Sequence, residues 1–455
     1  MGFTEDLARF VSECGSAGLP EDVVEAAKRC FLDWIGVTLA GADDPAIEIL
    51  LRVVKDQGGK KQATILDYGI KTSMLQAALV NGTMAHTLDY DDAHSVVRTH
   101  PSAPLIPALL ALAEHARLSG KELIAAFVAG YETTIRMGYA LGKEYYNRGW
   151  HATAVLGRLG TAAGTARLLR LGAEKTDIAL GLAATQAGGV RDVFGTMGKP
   201  FHSGKAAMDG LLAALLAKEG FTIPTDMLGE RSGFAAVFSP EYNPEMISDE
   251  LGNKYHVLQN SFKPYAACLL VHPVIDGLIT LREKHHINPE AVESVRLEVA
   301  PLNMKVAGNP EPKDGTEAKF SIHFGAAIAI IRGNAGNSIF TDEAVCDPVV
   351  SRLMKRITIS ADSSLGETEA RITVALKDGT NYFKHVVAPK GDPANPLTFA
   401  ELEEKFRDLT EKKIGSRQSN GIVEMIANLE KLDDAAPLAG LCCVRRKAKN
   451  IMVVR

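Results

Sequence analysis

The strongest constraint on this chain is a change of period. Through the first two-thirds the apolar residues recur at helical spacing. After about residue 270 they alternate, one in and one out, as in half-buried strands. Pro20 with Glu21 and Asp22 reads as a helix start, and Val23, Val24, Ala27, Phe31, Leu32, Ile35 and Leu39 follow at helical spacing up to Gly41. Ser102 reads as the cap of an apolar helix running to Leu118, and a further helix spans about Lys121 to Leu141. The stretch Ala152–Leu171 is rich in Ala, Gly and Thr, so it reads as a central helix that lets its neighbours come close. Another helix is expected from Ser203 to Glu219.

Beyond residue 270, Val292–Val299 and Ile357–Ser360 alternate. Ala370–Leu376 and Asn381–Val387 flank Lys377-Asp378-Gly379-Thr380, a hairpin signal. A helix at about Ala318–Arg332 interrupts the strands, and helices resume at Phe399. The expected fold is mainly α. It is a large all-helical domain, 1–268 plus 398–455, with an inserted smaller α+β lid domain at 269–397.

Charge and cysteine usage narrow the function. The chain has 455 residues and a formal net charge of −5, without the basic excess of a nucleic-acid binder. No apolar run is long enough for a membrane span. Glu5 and Asp6 stand close behind Met1, unlike the basic start of a signal peptide, and the six cysteines form no C-x-x-C pair. The expected setting is cytoplasmic, with no nucleic acid and no membrane as partner.

Four segments carry candidate chemistry. The first is Asn81-Gly-Thr-Met-Ala-His-Thr-Leu-Asp-Tyr-Asp-Asp-Ala-His94, followed by Arg98-Thr-His-Pro-Ser102. Its carboxylates and imidazoles suit general acid–base work, a metal site, or a solvated loop. No metal-ligand spacing is present, so no metal is expected. The second is Gly149-Trp150-His151. The third runs from Gly188 to Lys205 and contains Arg191 and Lys199. It is rich in glycine and basic residues ahead of a helix, which suits an anion, but it is not a P-loop. The fourth is Asn260-Ser-Phe-Lys-Pro-Tyr-Ala-Ala-Cys-Leu-Leu-Val-His272, at the expected junction between domains.

Together these segments resemble the MmgE/PrpD family: N-G-x-x-x-H-x-x-D-Y-D-D, T-H-P-S, G-W-H, G-T-M-x-K-P-x-H-x-G-x-A-A and K-P-Y-x-x-C-x-x-x-H, with an echo in Glu317-Ala-Lys-Phe-Ser321. The resemblance implies a helical domain with a smaller α+β lid, a homodimer, no cofactor, and a site between the domains. It implies catalytic roles for Asp89, His100, His151 and Lys199, with the segment that holds Lys263, Tyr265, Cys268 and His272 closing the site on substrate. Arg191 and Lys205, the latter in place of a basic residue that many relatives carry where Met208 stands, are further candidates for binding substrate. The implied reaction makes or breaks a C–H bond beside a carboxylate of a small di- or tricarboxylate. Dehydration of the 2-methylcitrate type comes first, then epimerisation of the iminodisuccinate type, then decarboxylation of the cis-aconitate type. Ala93 and Cys268 depart from the decarboxylase pattern, and Asp91-Asp92-Ala93 from that of the best-known dehydratases. The alternative outside enzymes is a catalytically idle helical scaffold.

Overall fold

The computed structural model describes residues 2–15, 18–229 and 232–444. The last eleven residues of the expected helical domain, 445–455, lie outside the described residues. The fold is mainly α, with buried apolar residues in two large clusters. The first cluster draws on residues from Leu7 to Phe262 and again from Leu397 to Cys442. The second draws chiefly on Ala266 to Val386, joined by Val37, Tyr90 and Leu409 from the helical side. The chain therefore leaves one core after Phe262 and returns to it at Leu397.

Small residues set the helix spacing in the first core. The helix Ala152–Leu168 is buried along almost its whole length. A Cβ at its Gly160 would stand 2.6 Å from the carbonyl oxygen of Gly130, on the helix Gly120–Leu141. The helix Met74–His86 crosses the helix Gly198–Lys218 at an equally close point, where a Cβ on Gly82 would meet the Cα of Gly204 at 2.9 Å. Larger side chains at these positions would force the helices apart and strain the packed core. This second crossing fixes the end of one helix, which leads to Asp89, against the start of the other, which carries Lys199.

The second core is built on a four-stranded sheet. Its strands are β3 (Val292–Val299), β4 (Ile357–Ala361), β5 (Ala370–Leu376) and β6 (Asn381–Val386), in the order β4-β3-β5-β6. β3 and β4 are parallel and the other pairs antiparallel. β3 alternates buried and exposed residues, so one face meets the helices and the other faces outward. The hairpin between β5 and β6 turns at Gly379, whose φ of 88° suits glycine.

Several local expectations shift. Ser102 is the first helical residue rather than the cap, because its hydroxyl donates to Asp92 Oδ2 at 2.6 Å. The helix expected from Ser203 begins at Gly198, which places His202 inside it. A small sheet of β1 (Ala63–Ile65) and β2 (Ile70–Thr72) lies in the helical part, its strands too short for alternation to reveal. Among the described residues no helix is long and apolar enough to cross a membrane.

Candidate active site

Five helices begin around one pocket. His100 lies two residues ahead of the helix Ser102–Ala116, and His151 is the residue just before Ala152–Leu168. Lys199 is the second residue of Gly198–Lys218, His272 the first of His272–His285, and Phe320 stands two ahead of Ile322–Arg332. Helix N-termini present free N–H groups and the positive end of the helix dipole, which favours an anion. Asp89, His100, His151, Lys199, Lys263, Cys268 and His272 all line the pocket, which encloses about 930 Å³ including its mouth. Phe194, Leu269, Leu270 and Phe320 supply apolar wall.

Asp89 is the centre of charge. Its Oδ1 accepts from Lys199 Nζ at 2.6 Å and from Lys263 Nζ at 3.0 Å. Lys263 Nζ also donates to the Asp89 backbone oxygen at 2.7 Å. Burial works to raise the carboxyl's pKa, but the two ammonium groups overcome it and hold Asp89 well below the usual carboxylate range. Asp89 adopts φ 51°, a left-handed conformation that aspartate tolerates better than most residues and that strained functional loops often use. A third lysine, Lys319, supports this turn by donating from Nζ to the carbonyl of Leu88 at 2.5 Å. Burial, with Lys263 and Lys199 nearby and only partly offset by Asp89, lowers its pKa to about 8.

The histidines form a layer beside this cage. Asp91 Oδ2 lies 2.8 Å from His86 Nδ1 and 3.2 Å from His100 Nδ1, while His100 Nε2 is 3.9 Å from Asp89 Oδ1. The rings of His86 and His100 meet edge to face at 4.6 Å. Burial holds Asp91 up, but the two imidazoles more than offset it, so its carboxyl also sits well below the usual range. Burial lowers His86 to about 4 and His272 to about 3. His151 is likewise held well below an ordinary histidine, by burial first and then by His86 and Lys199, so its imidazole is neutral. His151 Nδ1 lies 3.0 Å from His202 Nδ1, which leaves Nε2 as the nitrogen open to other partners.

Beneath the loop a second buried pair anchors it. Lys405 Nζ donates to Asp33 Oδ1 at 2.7 Å and to the Tyr90 carbonyl at 2.8 Å. Asp92, raised to about 7 by burial and by Asp33, accepts from Ser102 and Asn260.

Not every expected residue reaches the pocket. Lys205 pairs with Asp209 one turn along its own helix and does not line the pocket. The Tyr265 hydroxyl donates to Asp276 at 2.9 Å, behind His272. Arg191 stands behind Tyr146, with its guanidinium 4.1 Å from that ring. Cys268 lines the pocket, and burial pushes its thiol up to about 11, so it is not a ready thiolate.

From the sequence His86 reads as a structural residue on the helix that presents Asp89, and Arg98 and Lys319 carry no role, although all three lie inside the quoted segments. His86, Asp89, Asp91 and His100 each offer a ligand atom within 4.8 Å of the others. Two ammonium groups already offset the Asp89 charge, and a metal cation there would meet them as like charges, so the donor set fits an ion-pair cage better than a metal site.

Fold and site together define a mainly α protein with a pocket lined by Asp89, Lys199, Lys263 and three histidines at the starts of helices. Models of the MmgE/PrpD N-terminal domain and C-terminal domain match residues 5–247 and 265–431. The chain belongs to the MmgE/PrpD family. It is 29% identical over 468 residues to the cis-aconitate decarboxylase-like protein oryM of Aspergillus oryzae, covering 96% of each chain. It is 27% identical over 470 residues to a cis-aconitate decarboxylase of Aspergillus terreus, covering 97% of this chain and 96% of the relative. The human cis-aconitate decarboxylase is 28% identical over 454 residues, with 96% and 94% covered.

Proposed function

We propose that this chain is a lyase that acts on a small di- or tricarboxylate, making or breaking a C–H bond beside a carboxyl group without a cofactor. The observation that carries the reading is the convergence of Lys199 and Lys263 with His100 and His151 around the buried Asp89 carboxylate, with Lys319 bracing the turn behind it. The lysines offset the negative charge that accumulates on the substrate when a carbanion-like state forms next to its carboxylates. His151 accepts or returns the proton through Nε2, with His202 fixing its tautomer. Asp89 holds the two ammonium groups in place and leaves them as donors to the substrate.

In dehydration, the imidazole takes the proton from carbon, and hydroxide leaves the neighbouring carbon, protonated by a site acid as it departs. A second reading is decarboxylation, favoured by the full-length similarity to proteins named as cis-aconitate decarboxylases. There the bond to one carboxylate breaks, CO₂ departs, the electron pair stays on carbon, and a site acid supplies the proton. Both use the same charges and differ in the bond that breaks.

Proton NMR in D₂O with a polycarboxylate panel separates them. The panel holds 2-methylcitrate, cis-aconitate and citrate- and malate-like acids. Deuterium entering a carbon beside a carboxylate, absent with Lys199→Ala, supports the site, and loss of water or of CO₂ names the reaction. No exchange and no thermal stabilisation with any of these acids overturns the reading in favour of a scaffold.

A further inference from the structure

Arg98 stands two residues ahead of His100 and adopts φ 56°, a left-handed conformation unusual for arginine. Such backbone persists where its surroundings hold it. Its Nε donates to Glu367 Oε2 at 3.2 Å, and its Nη2 pairs with Glu367 Oε1. Its guanidinium carbon lies 5.0 Å from the centroid of the Tyr146 ring. Glu367 belongs to the turn ahead of β5, and that turn is tied to the pocket wall. Asn303 Nδ2 donates both to the Glu367 carbonyl and to that of Leu270, each at 3.0 Å. One edge of the guanidinium is thus fully engaged and the side chain fixed.

The remaining nitrogen, Nη1, is buried and has no acceptor. A buried guanidinium N–H without a partner carries a desolvation penalty, and such groups are rare enough to call for an explanation. Arg98, Tyr146 and Glu367 line the same pocket as Asp89, Lys199 and Lys263. Carboxylate is the acceptor that a guanidinium edge matches in geometry and charge. We infer that Arg98 Nη1 is an outer carboxylate subsite that reads the additional carboxylate of a tricarboxylate, with Glu367 as the positioning residue that aims it. This rests on the polycarboxylate reading of the inner cage. It makes Arg98 a determinant of tricarboxylate over dicarboxylate, with the lysines holding what the two acids share.

Isothermal titration of the full chain tests this with two unreactive acids. Tricarballylate is succinate carrying one extra carboxymethyl arm. The wild type is expected to bind tricarballylate about tenfold or more tighter than succinate, the scale of one charge-assisted hydrogen bond. Arg98→Met is expected to bring the two acids within about threefold of each other while leaving succinate within about twofold of wild type. Glu367→Gln is expected to weaken tricarballylate alone, and the double variant to be no worse than Arg98→Met, since both act through one contact. If Arg98→Met melts below the titration temperature, Arg98→Lys carries the test. It keeps the charge beside Glu367 and loses the planar fork, so it too is expected to weaken tricarballylate alone. Equal loss of both acids in the variants, no loss in either, or equal binding of the two acids by the wild type overturns the subsite and leaves the inner cage standing. Failure of the wild type to bind either acid overturns the polycarboxylate reading itself.

Discussion

Asp89→Asn removes one charge and almost nothing else. Asparagine fills the same volume and accepts the left-handed backbone at φ 51°, so no strain is added. What remains is Lys199 and Lys263, 6% and 1% exposed, beside each other without their counter-ion. Removing one partner of a buried ion pair costs about 3–5 kcal/mol, because the other charge stays buried and uncompensated. At about 2.1 cal/mol/K per residue, unfolding 455 residues as a unit has an entropy near 1 kcal/mol/K, so Tm falls by about 3–5 °C. The loss depends on pH with a definite sign. In the variant, one ammonium group gives up its proton in the folded state while the unfolded chain keeps it. The unfolded state then binds more protons, and stability rises with pH by up to about 1.4 kcal/mol per unit. The gap to wild type is therefore wider at pH 6 than at pH 9. A polycarboxylate supplies the missing negative charge and is expected to raise the Tm of the variant more than that of the wild type. Thermal unfolding at several pH values, with and without tricarballylate, reads all three effects. A variant as stable as wild type at pH 6, or a gap that widens as pH rises, would refute the cage as the organising charge of the site.

Four further outcomes follow from the same geometry. Lys319 has a folded pKa of about 8, below its unfolded value, so its folded form loses the proton first and stability rises as pH climbs from about 8 towards about 10.5. Lys319→Met is expected to abolish that rise in Tm, and a rise that survives in the variant would assign it to another group. His202→Phe removes the partner of His151 Nδ1, and kcat is expected to drop at least about tenfold with KM within about threefold, checked by steady-state kinetics on the acid that NMR identifies. Cys268→Ser should keep more than about half the activity, because a thiol pushed up to about 11 offers no nucleophile at neutral pH, and inactivation of this variant would put sulfur into the mechanism. Dialysis against a chelator is expected to change the rate by less than about twofold, since Asp89 already has its cations in two lysines, and recovery of a lost rate by a divalent metal would reverse that conclusion.

The parts of the fold that were legible in the sequence are those where one local pattern dominates. Val292–Val299 alternates along its whole length and is a strand over those residues. The Gly and Ala positions of Ala152–Leu168 announced close packing, and the helix is buried accordingly. The start of the helix at Gly198 was hidden because Gly-Lys-Pro-Phe-His reads as a loop. Proline is in fact accommodated in a first helical turn, and the neighbouring helices cover that turn. Asp89, His100, His151, Lys199 and Lys263 were legible as chemistry-bearing types in motifs, and the structure brings them to one pocket. Lys205 looked equivalent to Lys199 in charge and setting. Its position six residues on points it at Asp209, a contact that no one-dimensional spacing announces. Arg98 and Lys319 were invisible as site residues for a related reason. Their partners, Glu367 and the Leu88 carbonyl, lie more than 200 residues away in the chain.

The charges of the site bear directly on the proposed reaction. Lys199, Lys263 and Lys319 surround Asp89, Asp91 sits between His86 and His100, and burial keeps His86 and His151 neutral. With all three lysines charged, the cage carries a single net positive charge, small enough to stay folded and large enough to draw an anion. A di- or tricarboxylate entering this pocket reverses the sign of the local field. The Lys199 ammonium, which adds to burial in holding His151 neutral, is then paired with substrate, and negative charge near the ring favours its protonated form. Binding would thus raise the basicity of the imidazole that has to take the proton, and only when substrate is present to give it. The same burial that makes an uncompensated charge costly therefore ties the proton affinity of His151 to occupancy. That coupling needs no moving part beyond the exchange of one anion's partners.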